Sequence, residues 1–165
     1  MPAAFCLLLF FMSDQANPVR SDPRSLPVVL LVEDDADDAF LTERALKSTG
    51  VPHRVIRLHD GEEAINYLKG DSPYQKRSAY PLPDIILLDI KMPKATGFDV
   101  LTWLQKQPEL SSIPVIVLTG SILPSDRAEA KKLGAVGFEV KPVDFTVLVN
   151  MVQDIGVRWL KPPPG

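Results

Sequence analysis

The sequence predicts a single α/β domain in which a five-stranded parallel sheet is covered by helices on both faces. Two observations predict it. From Val28 onward, apolar runs that read as strands alternate with segments that read as helices, and this alternation is typical of a parallel sheet with right-handed crossovers. Residues 28–32 are also apolar at every position, as expected of a strand that is buried on both faces.

The predicted strands occupy residues 28–32, 54–58, 84–88, 114–118 and 136–140. The first helix is expected to begin after Asp35 as its N-cap and to end at Gly50. Its buried face is predicted to carry Ala36, Ala39, Phe40 and Leu46. The second helix begins at Asp60, with Glu63 completing a capping box, and ends at Gly70.

The bounds of the last three helices are predicted as follows. The third ends before Pro108, after a stretch that contains Phe98, Leu101 and Leu104. The fourth has Pro124 near its first turn and Gly134 past its end. The fifth is predicted to begin near Val143 and to run towards Trp159.

Composition agrees with one folded domain. The chain has 165 residues, and a domain commonly takes ~100–200. A net charge of −3 and the lack of a basic run give no reason to expect a nucleic-acid partner. The single cysteine, Cys6, excludes an intrachain disulfide and suits a reducing compartment, so we expect a cytoplasmic protein.

The two ends of the chain are predicted to lie outside the domain. The apolar stretch at residues 3–12 is too short to span a bilayer, which takes roughly 20 residues, and it lacks the basic start of a signal peptide. We therefore expect no membrane partner, and we interpret residues 1–26 as a disordered or mis-annotated extension in which Met12 is the true start. The folded domain is predicted at residues 27–160 and a proline-rich tail at 161–165.

Reactive side chains follow four of the predicted strands. Glu33 and Asp34 follow the first, Asp89 the third, Thr119 the fourth and Lys141 the fifth. Because the carboxyl ends of parallel strands meet at one edge of a sheet, we expect these side chains to converge there. Neighbouring carboxylates repel one another, and a hard cation such as Mg²⁺ would offset that repulsion.

Such a set of side chains suits phosphoryl transfer. A carboxylate can act as a nucleophile towards phosphorus and form an aspartyl phosphate. A cation held by the acidic pair would offset the incoming charge. A threonine hydroxyl can hydrogen-bond a phosphoryl oxygen, and a lysine can meet it as a point charge.

Four motifs in order make the chain resemble the CheY-like receiver domains of two-component response regulators. They are Glu33-Asp34 after the first strand, Asp89-Ile90-Lys91-Met92-Pro93 after the third, Thr119 after the fourth and Lys141-Pro142 after the fifth. The resemblance extends from about residue 28 to residue 160. It implies a flavodoxin-like, doubly wound sheet in the order 2-1-3-4-5, flanked by five helices.

The resemblance also implies a phosphoacceptor and a metal site. Asp89 would accept a phosphoryl group from a sensor histidine kinase or a phosphotransfer protein. Mg²⁺ would be bound by Asp34, Asp89 and the backbone carbonyl of Lys91, with Glu33 acting through a water molecule.

Four more residues take their expected roles from the same resemblance. Thr119 and Lys141 would contact the phosphoryl group. Thr119 and Phe138 would form a switch that alters the surface of the fourth helix, fifth strand and fifth helix. Pro142 would follow a cis peptide bond, which X–Pro bonds tolerate.

The loop at residues 70–84 points to a subclass. It is longer than in the shortest receivers, and it resembles the extension of the stand-alone regulators typified by Rcp, the partner of cyanobacterial phytochromes. A tolerated surface insertion explains the same loop.

Simpler explanations exist for several acids. Residues 33–35 would be favourable at a helix N-terminus for electrostatic reasons alone. Capping does not explain why they coincide with Asp89 and Lys141 at one sheet edge. Asp37 and Asp38 are interpreted as solvent-exposed acids of the first helical turn.

Three functions were weighed against one another. The leading one is a stand-alone receiver that is phosphorylated on Asp89 and is not an enzyme beyond its own phosphorylation and dephosphorylation. A phosphatase of the haloacid dehalogenase type needs a second aspartate two residues after the nucleophile, and Lys91 stands there. The remaining alternative is a receiver-like interaction module that works without phosphorylation.

The fifth helix predicts an interaction surface. Its core face is expected to carry Phe145, Leu148, Val149, Val152, Ile155 and Trp159. Val147 and Met151 lie four residues apart on another side, where a solvated helix would prefer polar residues. We therefore expect a homodimer or a partner contact through the fourth helix, fifth strand and fifth helix.

Overall fold

The computed structural model describes residues 26–160, in which five parallel strands form one sheet in the order β2-β1-β3-β4-β5. The strands are β1 (Val28–Val32), β2 (Arg54–Leu58), β3 (Ile85–Leu88), β4 (Val115–Thr119) and β5 (Gly137–Val140). The order and the parallel pairing confirm the predicted doubly wound fold. The expectations for residues 1–25 and 161–165 lie outside the described residues.

Five α-helices connect and follow the strands. They are α1 (Ala36–Lys47), α2 (Gly61–Lys69), α3 (Gly97–Leu104), α4 (Pro124–Lys132) and α5 (Phe145–Trp159), with a 3₁₀ turn at Pro108–Leu110. Three strands begin one residue later than predicted. The first of these begins after Asp84, whose side chain accepts a hydrogen bond from the Val28 amide at 2.8 Å.

Local capping signals account for most helix boundaries. The Asp35 carboxylate accepts hydrogen bonds from the second and third amides of α1, both at 2.9 Å, and Asp60 caps α2. The predicted capping box at Glu63 is wrong, because Glu63 accepts the amide of His59 rather than that of Asp60. α5 begins two residues later than predicted because the Asp144 side chain caps it.

The sheet separates two apolar cores. On one face, α1 and α5 cover the sheet; on the other, α2, α3 and α4 do. The side chains of β1 are buried throughout, with Val29 and Leu31 facing one core and Leu30 and Val32 the other. This burial on both faces explains why β1 shows no alternation of apolar and polar residues.

One prediction for α1 is wrong. Phe40 is 63% exposed and Ala36 is exposed too, so neither lies on the buried face. The buried positions are Ala39, Thr42, Ala45 and Leu46. Their three-residue spacing makes a narrow stripe of mostly small side chains, and Phe40 points away from it.

The loop between α2 and β3 packs against α2. Tyr74 and Tyr80 lie against Tyr67 of α2, with ring centroids 5.1 and 6.2 Å from that of Tyr67. The Tyr67 hydroxyl donates a hydrogen bond to the Pro81 carbonyl at 2.6 Å. Residues 71–84 are therefore an ordered part of the domain.

Two smaller observations complete the fold. The expected cis bond before Pro142 is wrong; among the described residues, the cis peptide bond is Ser72–Pro73. Within residues 26–160, no helix has both the length and the apolar character that crossing a membrane requires.

Candidate functional site

Three carboxylates meet at the carboxyl edge of the sheet. β1 pairs with β3 so that Val32 is opposite Leu88, and the residues that follow these two are therefore neighbours. Carboxylate oxygens of Glu33, Asp34 and Asp89 lie within 4.8 Å of one another. Glu33 and Asp89 are buried and Asp34 is exposed, so the predicted acidic pocket is present.

Lys141 follows β5 and enters this pocket from the side. Its Nζ lies 2.5 Å from Glu33 Oε2 and 3.0 Å from Asp89 Oδ2. The lysine side chain is only 13% exposed, so its stem is buried while the ammonium contacts the carboxylates. The structure thus brings four of the predicted site residues into one cluster.

Burial and the contacts of Lys141 have opposing effects on the pKa values in this pocket. Burial raises the pKa of the Glu33 carboxyl to about 7, although its hydrogen bond and charge interaction with Lys141 act to lower it. Burial also acts to lower the pKa of Lys141, but hydrogen bonds to Asp38 and Glu33 outweigh it and hold that pKa above its ordinary value. The lysine therefore remains an ammonium ion beside Asp89.

Asp38 belongs to the same cluster, which the sequence reasoning did not foresee. Its Oδ2 lies 2.8 Å from Lys141 Nζ, so the interpretation of Asp38 as merely a solvated first-turn acid is wrong. Asp35 caps the helix, which makes Asp38 the third residue of α1. Helical side chains tilt towards the N-terminus, and that tilt was the available signal for a carboxylate directed at the sheet edge.

The backbone after Asp89 turns tightly. Asp89 Oδ1 accepts a hydrogen bond from the Lys91 amide at 3.1 Å, which directs the other carboxylate oxygen, Oδ2, to Lys141. A Cβ at Gly97 would lie 2.4 Å from the Asp89 carbonyl oxygen, so only glycine allows α3 to begin so close to Asp89. Lys91 itself is exposed on this turn.

Thr119 ends β4 next to the lysine. It is fully buried, and its carbonyl accepts a hydrogen bond from the Lys141 amide at 2.8 Å. Its hydroxyl oxygen accepts the Ser121 amide at 3.2 Å, and the Ser121 hydroxyl donates to Asp126 of α4. Thr119 is thus connected to both the pocket and the start of α4.

Phe138 lies in β5, buried in the core under α2, α3 and α4. The guanidinium of Arg127, on α4, lies 4.8 Å from the centre of its ring. Sequence reasoning missed Arg127, since nothing in its neighbourhood along the chain distinguishes it from a surface arginine. The contact links α4 to β5 through a cation–π interaction.

The oxygen donors fit a hard divalent cation. Mg²⁺ and similar ions prefer carboxylate and carbonyl oxygens, and Glu33, Asp34 and Asp89 supply the former within one small volume. The arrangement of a buried carboxylate, a fixed ammonium ion and an acidic pair is chemically competent to form and hold an aspartyl phosphate.

Comparisons with known proteins agree with this geometry. The family described as "Response regulator receiver domain" matches residues 29–153. Response regulator Rcp1 of Synechocystis sp. is 35% identical over 150 residues, which are 91% of this chain and 95% of Rcp1.

Solved structures show the same likeness. The phosphorylated cyanobacterial phytochrome response regulator RcpA is 34% identical with a TM-score of 0.76, over 82% of this chain and 94% of RcpA. The Mn²⁺-bound form of Rcp1 has a TM-score of 0.74 at 35% identity, over 84% of this chain and 99% of that one. The predicted likeness to the Rcp subclass is confirmed, and the chain belongs to the receiver-domain family of response regulators.

Proposed function

We propose that Asp89 is the residue of this receiver that accepts a phosphoryl group, and that a sensor histidine kinase or a phosphotransfer protein donates it. The observation that supports this most strongly is the position of the Asp89 carboxylate. It is buried at the sheet edge, 3.0 Å from the Lys141 ammonium and beside Glu33 and Asp34. A carboxylate that served only to cap a helix would need neither partner.

The chemistry follows from this arrangement. An Asp89 oxygen attacks phosphorus while the bond to the donor's imidazole nitrogen breaks, and an acyl phosphate forms on Asp89. The Lys141 ammonium offsets the charge of the phosphoryl oxygens, and the Thr119 hydroxyl hydrogen-bonds one of them. The chain then acts as an acceptor that holds and releases phosphate, and it is not an enzyme that turns over a separate substrate.

Mg²⁺ is the proposed cofactor, held by Asp34, Asp89 and the Lys91 carbonyl, with Glu33 acting through water. The similar protein Rcp1 has a Mn²⁺-bound form, which supports divalent-cation binding in a pocket of this kind. When bound, the cation supplies positive charge that lowers the repulsion between the carboxylates and the incoming phosphoryl group. We place the protein in the cytoplasm, where such a kinase would reach it.

The similarity to phytochrome regulators supports a phytochrome as the sensor kinase. Rcp1 and RcpA are 35% and 34% identical to this chain, and two bacteriophytochrome response regulators are 36% and 39% identical to it. The output is proposed to be a protein contact. A homodimer through α4, β5 and α5 is its proposed form, with Val147 and Met151 at the interface.

Phosphorylation is proposed to act through Thr119 and Phe138. Movement of the buried Thr119 hydroxyl towards the phosphoryl group would break its bond to the Ser121 amide and release the start of α4. Phe138 and the overlying Arg127 would then rearrange. A beryllofluoride adduct, which imitates the phosphoryl group, should therefore shift NMR signals in α4 and β5; shifts confined to the pocket would contradict the switch.

Mass spectrometry tests the acceptor. The wild-type chain is incubated with acetyl phosphate and Mg²⁺ and should gain one phosphoryl group. Asp89→Asn keeps the shape of the side chain but removes the anionic nucleophile, so labelling should disappear. Asp37→Asn makes the same chemical change at an exposed position in the first turn of α1, and this variant should be labelled normally.

The two negative outcomes differ in meaning. Labelling that survives in Asp89→Asn would place the acceptor elsewhere. A wild-type chain that is never labelled, yet still binds its partner, would favour the alternative of an interaction module that works without phosphorylation.

A further inference from the structure

The contact between Asp38 and Lys141 is not accounted for by any of the strand-end motifs. The lysine ammonium contacts three carboxylates: Glu33 at 2.5 Å, Asp38 at 2.8 Å and Asp89 at 3.0 Å. Glu33 and Asp89 are almost completely buried, whereas 45% of the Asp38 side chain is exposed. The ammonium therefore lies between two inner carboxylates and one outer carboxylate.

The inner carboxylates both have other partners in the proposed reaction. Asp89 takes the phosphoryl group, and Glu33 faces the cation with Asp34. Asp38 is outside the group of three carboxylates whose oxygens lie within 4.8 Å of one another. Of the three carboxylates that contact the lysine, Asp38 is thus the one that takes part in neither the proposed phosphoryl transfer nor the proposed cation site.

The backbone of Asp38 is fixed by the first turn of α1. It is the third residue of α1, and its own amide donates to the Asp35 side chain at 2.9 Å. A lysine stem, by contrast, has four rotatable carbons and considerable conformational entropy when it is not held. A carboxylate on a fixed backbone limits the positions that the ammonium can take.

We propose that Asp38 is a positioning residue that keeps the Lys141 ammonium beside Asp89, ready for the phosphoryl group. The inference rests on the proposed function, in which Lys141 meets the phosphoryl oxygens. Charges that are already in place when negative charge arrives stabilise it without a reorganisation step. Without Asp38, only the two inner carboxylates would hold the ammonium, and both of them change partners in the proposed reaction.

Asp37 provides a matched control. It precedes Asp38 in the first turn of α1 and is exposed, and no hydrogen bond or ion pair joins its carboxylate to another described residue. Asp37→Asn and Asp38→Asn therefore remove the same charge from the same helical turn. They differ in the contact with Lys141.

The test compares the two variants with the wild-type full chain. The second-order rate constant for phosphorylation by acetyl phosphate should fall about two- to fivefold in Asp38→Asn relative to Asp37→Asn, as suits a partly exposed ion pair. Mg²⁺ affinity should be equal in the two variants, because Asp38 is not a proposed ligand. Asp38→Glu, which restores a carboxylate one methylene farther out, should recover part of the rate.

A spectroscopic readout separates positioning from a general structural role. In protein with isotope-labelled lysine, the Lys141 side-chain NMR signal should shift in Asp38→Asn and stay in place in Asp37→Asn. Equal phosphorylation rates in the two variants would overturn the proposal. So would a loss of Mg²⁺ affinity in Asp38→Asn, since Asp38 would then act on the cation. Absence of labelling in the wild type would instead overturn the proposed function, and the NMR comparison would still report the contact.

Discussion

The ammonium of Lys94 lies 2.9 Å from Asp60 Oδ2 and joins the loop that follows Asp89 to the start of α2. Lys94 has a positive φ of 61°, which is uncommon for a residue other than glycine. The same loop accepts a hydrogen bond from the Gly61 amide through the Ala95 carbonyl at 3.2 Å. A Cβ at Gly61 would lie 2.3 Å from that carbonyl oxygen. The loop that carries Lys94 and Ala95 is thus held against α2 at two points.

Removing the two partners of this ion pair should have unequal effects. Asp60→Ala loses the N-cap of α2 as well as the ion pair, so the free energy of unfolding should fall by about 1 kcal/mol. Lys94→Ala loses only a solvent-screened contact, because 63% of the lysine side chain is exposed. Its effect in urea unfolding should be clearly smaller, and equal losses would contradict this account.

The contribution of Asp60 should depend on pH in a definite direction. Burial acts to raise the pKa of Asp60, but the Glu63 amide and Lys94 outweigh it and hold the pKa below its ordinary value of 3.8. A carboxyl whose pKa is depressed on folding contributes stability above its unfolded pKa and loses it as the pH falls through the folded pKa. The stability difference between wild type and Asp60→Ala should therefore persist at neutral pH and shrink below pH 3.8.

Asp34 should govern cation binding and carry a stability cost when no cation is present. Asp34→Ala should weaken Mg²⁺ binding by about tenfold or more. Losing even a residue that only hydrogen-bonds a metal ligand lowers metal affinity by roughly 10–100-fold. Glu33→Gln should weaken it less, because Glu33 is proposed to act through water. Isothermal titration measures both, and equal affinity of wild type and Asp34→Ala would rule out the assignment.

Neutralising Asp34 should have the opposite effect on stability when a chelator removes the cation: the protein should become more stable. Lys141 contacts Glu33, Asp38 and Asp89 but leaves the Asp34 charge close to two others. In EDTA, Asp34→Asn should raise Tm by about 1–2 °C through a few tenths of a kcal/mol of relieved repulsion. Asp37→Asn removes a first-turn acid that is outside the group of three carboxylates, so it should not raise Tm in a thermal melt.

Arg77 should stabilise the end of α2. Its guanidinium donates to the carbonyls of Tyr67 and Leu68 at 2.8 and 2.7 Å, in the last turn of α2, where carbonyls lack partners within the helix. The Tyr67 carbonyl also accepts the Gly70 amide at 3.1 Å. Arg77→Ala should lower the free energy of unfolding by about 1–2 kcal/mol. Arg77→Lys should lose most of this, because an ammonium lacks the planar fork.

The neighbouring Lys76 is exposed and serves as the control in the same urea experiment. Lys76→Ala should be nearly neutral. If Arg77→Ala were equally neutral, the guanidinium contacts with the Tyr67 and Leu68 carbonyls would add nothing to the stability of α2.

Val147 should contribute to the proposed dimer surface. It is 50% exposed and lines a groove of about 340 Å³ beside β5, together with Val136 and Met151. Met151 lines the same groove but is partly buried against the core, so it offers less exposed surface than Val147. The test therefore replaces Val147, the more exposed of the two.

Sedimentation with and without beryllofluoride measures self-association. Val147→Glu should weaken it while leaving Asp89 phosphorylation intact. Val157→Glu, on the same helix but outside the groove and 79% exposed, should have no effect. A wild-type chain that stays monomeric at high concentration in both conditions would exclude the homodimer and leave a different protein as the partner.

The sequence by itself determined the elements and the motif residues of this protein. A strand buried on both faces must be apolar throughout, as at residues 28–32, and helix caps act over three residues, as at Asp35 and Asp60. These are local effects, so they can be recognised along the chain. The convergence of Glu33, Asp34, Asp89 and Lys141 was predicted because the carboxyl ends of parallel strands share one edge.

Tertiary structure decided what depends on the distance between residues far apart in sequence. The Asp38–Lys141 contact spans 103 positions, and only the packing of α1 against the sheet brings the two together. The exposure of Phe40 follows from which stripe of α1 that packing covers, and the Arg127–Phe138 contact from how α4 lies over β5. The type of a side chain limits what a residue can bind. The three-dimensional arrangement of the elements decides which partner it contacts.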